Sequence, residues 1–172
     1  GQVSPLLVDA FDKVTLPGSS WSPDGELLFA SSWPPHDEIW AIRPEMSAPK
    51  RLTSRPKLMA YEPSWGPAGK LVFESHPVDV ARRGRITVLV GGQYRDLTGK
   101  QRDCRQPNWS PTGEWIVYQC RERKTSWDLW RIHPDGTGER RLTSSRGAEA
   151  DASFSPDGAW VIYSGDGAGT LK

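Results

Sequence analysis

The sequence predicts an all-β protein, a β-propeller of four-stranded antiparallel blades with about four blade equivalents in the chain. Two repeated motifs and one feature of composition predict it. The first motif is Ser20-Trp21-Ser22-Pro23-Asp24-Gly25, Ser64-Trp65-Gly66-Pro67-Ala68-Gly69, Asn108-Trp109-Ser110-Pro111-Thr112-Gly113 and Ser153-Phe154-Ser155-Pro156-Asp157-Gly158, whose aromatic residues are spaced 44, 44 and 45 apart. The second keeps the same beat: Arg51-Leu52-Thr53, Asp96-Leu97-Thr98 and Arg141-Leu142-Thr143 are spaced 45 and 45. Nine Trp, 17 Gly and 15 Pro in 172 residues point to short strands and tight turns instead of helices. Units of about 40–45 residues with four strands each are how propellers write themselves into sequence.

Each unit reads as four strands. The first ends at the aromatic residue. Ser-Pro-Asp-Gly suits a type I turn, because Pro fixes φ at the second position, Asp favours the third and Gly takes the left-handed geometry that starts the return. The second strand is apolar on both faces: Leu27-Leu28-Phe29, Leu71-Val72-Phe73, Trp115-Ile116-Val117-Tyr118 and Trp160-Val161-Ile162-Tyr163. Such a strand is covered on both sides, which stacked blades provide. The third strand is Glu38–Ile42, Ile86–Val90 and Asp128–Ile132. Gly91-Gly92 then suits a type I′ hairpin and Pro134-Asp135-Gly136 a type I turn. The fourth strand ends at Leu-Thr. The tryptophans at repeat positions, Trp21, Trp40, Trp65, Trp109 and Trp130, are expected in the blade core.

Pro-x-Trp-Ser-Pro-Asp-Gly, an apolar strand, Asp-x-Trp-x-Ile and Arg-Arg-Leu-Thr together resemble the WD-like repeat of TolB-type propellers. The resemblance covers nearly the whole chain, with blade two departing most through Gly66 and Ala68. It implies the fold; a function does not follow from the fold alone. The blade units fall at about 17–53, 60–98, 105–143, and 151–172 completed by 1–16, the whole chain being one propeller domain or a piece of one. The segment Leu6–Thr15 aligns with Val88–Thr98, one residue short, so it reads as strands three and four of a blade. The C-terminal end supplies strands one and two. Closure by pairing of the two termini, a cut through a larger ring, and a homodimer formed by exchanging half-blades all fit this phase.

Mean hydropathy is −0.60 and the longest apolar runs are four or five residues, whereas a membrane-spanning helix needs about 20. A net charge of +1 gives no reason to expect a nucleic-acid partner. The distribution is uneven. From residue 82 to 124 ten cations face four acids, a net of +6, leaving −5 for the remainder. Most of these cations are expected in loops after strands two and four, which share one face of the disc. The candidate binding residues there are Arg82, Arg83, Arg85, Arg102, Arg105, Arg121, Arg123 and Lys124, with Trp33 and Trp127 as off-repeat aromatics. Aromatic side chains and arginines are favoured anchors at interfaces, and the charge would steer an anionic partner to this face.

His36 and His76 are expected as solvated residues of the loops between strands two and three, and His133 as a turn residue; their spacing matches no zinc pattern. The sequence has no Gly-x-Ser-x-Gly, no Cys with a plausible His partner and no phosphate-cradling loop. No catalytic residue, metal or cofactor is therefore expected. Two cysteines are too few for a disulfide framework, but register brings them into play. If Ser110 faces Glu114 across the blade-three hairpin, Trp109 faces Trp115 and Cys104 faces Cys120, close enough to bridge. A one-residue shift from a bulge would instead put Cys104 beside Gln119. A bridge suits a periplasmic or extracellular protein, as the TolB resemblance also implies. The reading that follows is a non-catalytic propeller that serves as a protein-binding scaffold. The alternatives are the propeller portion of a prolyl-oligopeptidase-like peptidase, or a polysaccharide-binding or lyase propeller.

Overall fold

The computed structural model describes residues 14–22, 24–33, 36–78, 83–122 and 125–166, and the side chains of these apart from 14–19, 27–33 and 36. Four antiparallel sheets follow one another along the chain. Blade one is β1 (Val14–Trp21), β2 (Leu27–Trp33), β3 (His36–Ile42) and β4 (Lys50–Arg51). Blade two is β5 (Leu58–Trp65), β6 (Leu71–Pro77), β7 (Arg85–Val90) and β8 (Gln93–Asp96). Blade three is β9 (Asp103–Trp109), β10 (Ile116–Arg121), β11 (Asp128–Ile132) and β12 (Arg140–Arg141). Blade four contributes β13 (Glu149–Phe154) and β14 (Val161–Gly165). Among the described residues the one helical element is a single 3-10 turn, Pro67–Gly69.

The core lies between blades. Ile39 and Ala41 of blade one pack with Ala60, Leu71 and Phe73 of blade two. Val72, Ile86 and Val88 of blade two pack with Cys104, Trp109, Ile116 and Tyr118 of blade three. Val117 and Leu129 pack with Ala152 of blade four. Alternation along β6 and β10 thus sends successive apolar residues to opposite neighbours, which is why the second strand carries no polar face.

The repeated motifs have separate jobs. In three blades the turn glycine donates to the motif serine: Gly25 to Ser22, Gly113 to Ser110 and Gly158 to Ser155, at 3.0, 2.9 and 2.9 Å. The serine hydroxyl also accepts from the returning strand, from the N–H of Glu26, Trp115 and Trp160. Blade two lacks the hydroxyl and turns differently, with Ala68 at φ 56. Its Gly66 is required by packing: a Cβ there would stand 2.5 Å from the Trp109 ring. The serine before the aromatic reaches across blades, Ser20 Oγ accepting from Trp65 N–H and Ser64 Oγ from Trp109 N–H. In the Leu-Thr motif the leucine N–H continues the ladder to strand three. The threonine hydroxyl then accepts the next N–H, from Ile39 to Thr53, Ile86 to Thr98 and Leu129 to Thr143.

Several expectations are corrected. Val14 and Thr15 pair with Ser31 and Ala30 inside β1, so they belong to blade one and not to a segment completing blade four; residues 1–13 lie outside the described residues. His36 opens β3, and His76 lies in β6 and is 4% exposed. Neither is a loop residue. Trp21 is 58% exposed, against 7% for Trp109, because among the described residues no blade covers its open side.

Candidate binding face

The blade-three hairpin builds the site. Ile116 faces Trp109 and Val117 faces Asn108, one residue away from the register expected from Ser110 facing Glu114. The ladder then shifts between Val117 and Gln119, and Cys120 faces Cys104. Gln106 makes the shift at φ 51. The bulge therefore does the opposite of what the sequence suggested: it brings the cysteines together. They form a disulfide with Cα atoms 4.1 Å apart, both buried.

Strand alternation points the flanking residues the other way. Asp103 pairs with Arg121 in register, and Arg105 with Gln119. Asp103 is buried and accepts from Gly84 N–H at 2.8 Å, from Arg105 through Nε and Nη2 at 3.1 Å, and from Arg121 Nη2 at 3.2 Å. Both guanidiniums also lie over the Trp127 ring, 5.3 Å and 4.5 Å from its centroid. One buried carboxylate thus holds two cations against an indole, each such contact being worth about 0.5–1 kcal/mol where exposed. The cluster keeps a net positive charge at its surface.

The other predicted residues are placed differently. Arg83 is exposed, beside Gly84, and its Nη1 donates to the Lys100 carbonyl at 3.4 Å. Arg85 lies in β7 and is held by Asp96 at 2.8 Å, where Arg55 also binds. Arg102 pairs with Glu139 and lies 4.7 Å over the Trp130 ring. Arg85, Arg105 and Arg121 occur in strands instead of the expected loops. Arg82, Arg123 and Lys124 lie outside the described residues, as does the side chain of Trp33. Of the candidates, then, Arg105, Arg121 and Trp127 converge.

A second polar line was missed. Glu62, Gln106 and Asp151 occupy the same bulge position in three successive blades, at φ 48, 51 and 54. Gln106 Nε2 donates to Asp151 Oδ1 at 2.6 Å and its backbone N–H to Glu74 Oε2 at 3.0 Å. Burial, then the charges of Glu74 and Asp151, push the Glu62 carboxyl up to about 8. Glu74 in turn holds His76 at 2.8 Å, and Tyr61 donates to Asp37. Pro63 and Pro107, inside the edge strands β5 and β9 and directly after the bulge residue, were the available signal, since proline within a sheet is confined to edge strands, strand starts and bulges. On the opposite face a groove of about 820 Å³ lies between blades two and three, with Val88, Tyr94, Arg95 and His133 in its lining. His133 stacks on Trp115 at 3.6 Å. Among the described residues no helix is long and apolar enough to cross a membrane.

The model of the TolB β-propeller domain matches residues 8–172. The chain belongs to the TolB β-propeller domain family. It is 25% identical over 153 residues to an uncharacterised protein of Agrobacterium fabrum, covering 89% of this chain and 52% of that one. It is 31% identical over 139 residues to a TolB homolog of Chlorobium luteolum, covering 80% and 30%. The chain therefore spans about half or less of the curated relatives it matches. A putative TolB structure from Agrobacterium tumefaciens superposes with a TM-score of 0.75 at 20% identity, over 90% of this chain and 56% of that one. Two further likenesses are to proteins whose names denote enzymes. An uncharacterised peptidase of Bacillus subtilis is 28% identical over 60% of this chain and 21% of its own. An oligogalacturonate lyase structure matches at a TM-score of 0.60 and 16% identity, covering 84% and 45%.

Proposed function

We propose that this TolB-family propeller is a non-catalytic platform that binds an anionic protein partner on the face carrying Arg105, Arg121 and Trp127. The observation that carries the reading is the shared carboxylate of Asp103, which fixes both guanidiniums against the indole before any partner arrives. A preformed anchor loses little entropy on binding, and aromatic and arginine side chains dominate interface energetics. The buried Cys104–Cys120 disulfide supports a periplasmic or extracellular setting. A second reading has support from the peptidase relative: the propeller as the accessory domain of a hydrolase.

The test is capture of partners from a bacterial envelope extract on the immobilised chain, with Arg105→Glu/Arg121→Glu beside it. The wild type should retain an acidic protein that the variant loses and that added salt releases, exposed charges being screened over about 8–10 Å at physiological ionic strength. Equal retention by both proteins at every salt concentration would overturn the reading. Retention of a hydrolase domain in place of an acidic partner would favour the second.

A further inference from the structure

Beside this cluster is a small pocket of about 90 Å³ in blade three, lined by Arg102, Arg121, Glu122, Thr125, Asp128, Trp130 and Arg141 among others, three cations against two carboxylates. Three guanidiniums surround it. Arg102 engages Glu139 through one terminal nitrogen, Arg121 engages Asp103 through one, and Arg141 engages Asp128 Oδ2 at 2.7 Å. A guanidinium has five N–H donors, so donors remain for a ligand. The pocket also holds an acceptor: Asp128 is 3% exposed, and its Oδ1 is buried with no hydrogen-bond partner. A buried oxygen left in that state is costly and calls for a donor.

We propose that this pocket receives one acidic side chain, Asp or Glu, from an extended segment of a protein partner. The carboxylate pairs with Arg102 and Arg121, and Asp128 holds Arg141 beside them. Size argues for this source over a sugar acid. The pocket is small, about 90 Å³, and a carboxylate with its methylene enters it more readily than a hexuronate ring. Charge-assisted pairs with arginine are the strong class of hydrogen bond. The inference rests on the reading of this face as a surface for anionic protein, and narrows it to one residue.

The experiment is fluorescence anisotropy of a fluorescein-labelled hexaglutamate peptide with the full chain at low ionic strength. Arg102→Gln/Arg121→Gln should weaken binding about tenfold or more. Thr125→Trp, which fills the pocket without changing charge, should weaken it comparably. Lys70→Gln/Arg95→Gln, the same charge change on the opposite face, should leave binding within about twofold, and hexagalacturonate or inorganic phosphate should compete poorly. Circular dichroism checks each fold, and Asp128→Asn serves if Thr125→Trp misfolds: its Nδ2 in place of Oδ2 frees Arg141 and should shift affinity where a remote site would not. Wild-type affinity in the pocket-altering variants, with loss in the arginine pair, would overturn the pocket and leave the basic face standing. Equal competition by hexagalacturonate would overturn the assignment to a side chain. Absence of any peptide binding by the wild type would sink both the pocket and the reading of the face.

Discussion

Blade three and the outward sides of blades one and four are written in the same repeat but live in different solvents. Trp109 is 7% exposed and its counterpart Trp21 is 58% exposed; Val117 is fully buried and its counterpart Ile162 is 67% exposed. The local sequence is equivalent in each pair, and so is the strand. What differs is the neighbouring blade. Burial in this fold is supplied by the adjacent repeat, as expected of a structure stabilised by nearest-neighbour interfaces, and an aromatic residue at a repeat position forecasts a core only where a blade lies on each side.

Truncation is the strongest way to sharpen the comparison. Trp109→Ala should cost about 3–5 kcal/mol, since it empties a site packed between Gly66 and the blade-three core. Trp21→Ala, at an open surface, should cost within about 1 kcal/mol. Urea titrations of the two variants would measure both, and equal losses would show that Trp21 is covered in solution. The disulfide comes next. It joins a cross-strand pair whose counterpart in blade two, Ala60 and Ser75, carries no link. Cys104→Ala/Cys120→Ala should cost about 3 kcal/mol for a separation of 16 residues. A melting temperature unchanged from wild type would argue that strand pairing alone fixes the hairpin. Gly66→Ala is smaller, about 1–3 kcal/mol, because its Cβ would displace the Trp109 ring; little change would mean the blade-two to blade-three seam can open.

The fold class was legible because the two motifs repeat in step, and each motif proved to be a hydrogen-bonding device: a turn staple at Ser110, a cross-blade acceptor at Ser64, a ladder substitute at Thr143. The site was legible in part. Charge excess drew attention to residues 82–124, but charge counting cannot separate Arg85, held by Asp96, from Arg121, poised over Trp127. That distinction depends on a neighbour 11 residues away along the chain in the first case and on strand register in the second. Register was the weak step, because the extra residue of the blade-three turn and the bulge at Gln106 offset one another. The alternation rule set the faces, while the count along the ladder needed the structure.

The mildest prediction compares the same bulge in adjacent blades. Glu62 and Gln106 hold nearly the same backbone, φ 48 and 51, but only Glu62 titrates. Burial, reinforced by Glu74 and Asp151, raises its carboxyl from an ordinary 4.5 to about 8. The folded state therefore keeps a proton that the unfolded chain releases. Below about pH 4.5 both states are protonated and the group has no effect on stability. From there to about pH 8 the unfolded state binds fewer protons, so stability falls as pH rises, and above pH 8 the loss is complete. Glu62→Gln keeps the shape and removes the titration. The full shift would be worth about 3.5 kcal/mol between pH 5 and pH 8; because the carboxyl is partly in water and screened, urea midpoints should show the wild type losing on the order of 1–2 kcal/mol more than the variant over that interval. The difference between the two proteins isolates this carboxyl from other groups that titrate in the same range. Parallel curves would mean that Glu62 reaches water, and that the bulge in blade two is more open than its twin in blade three.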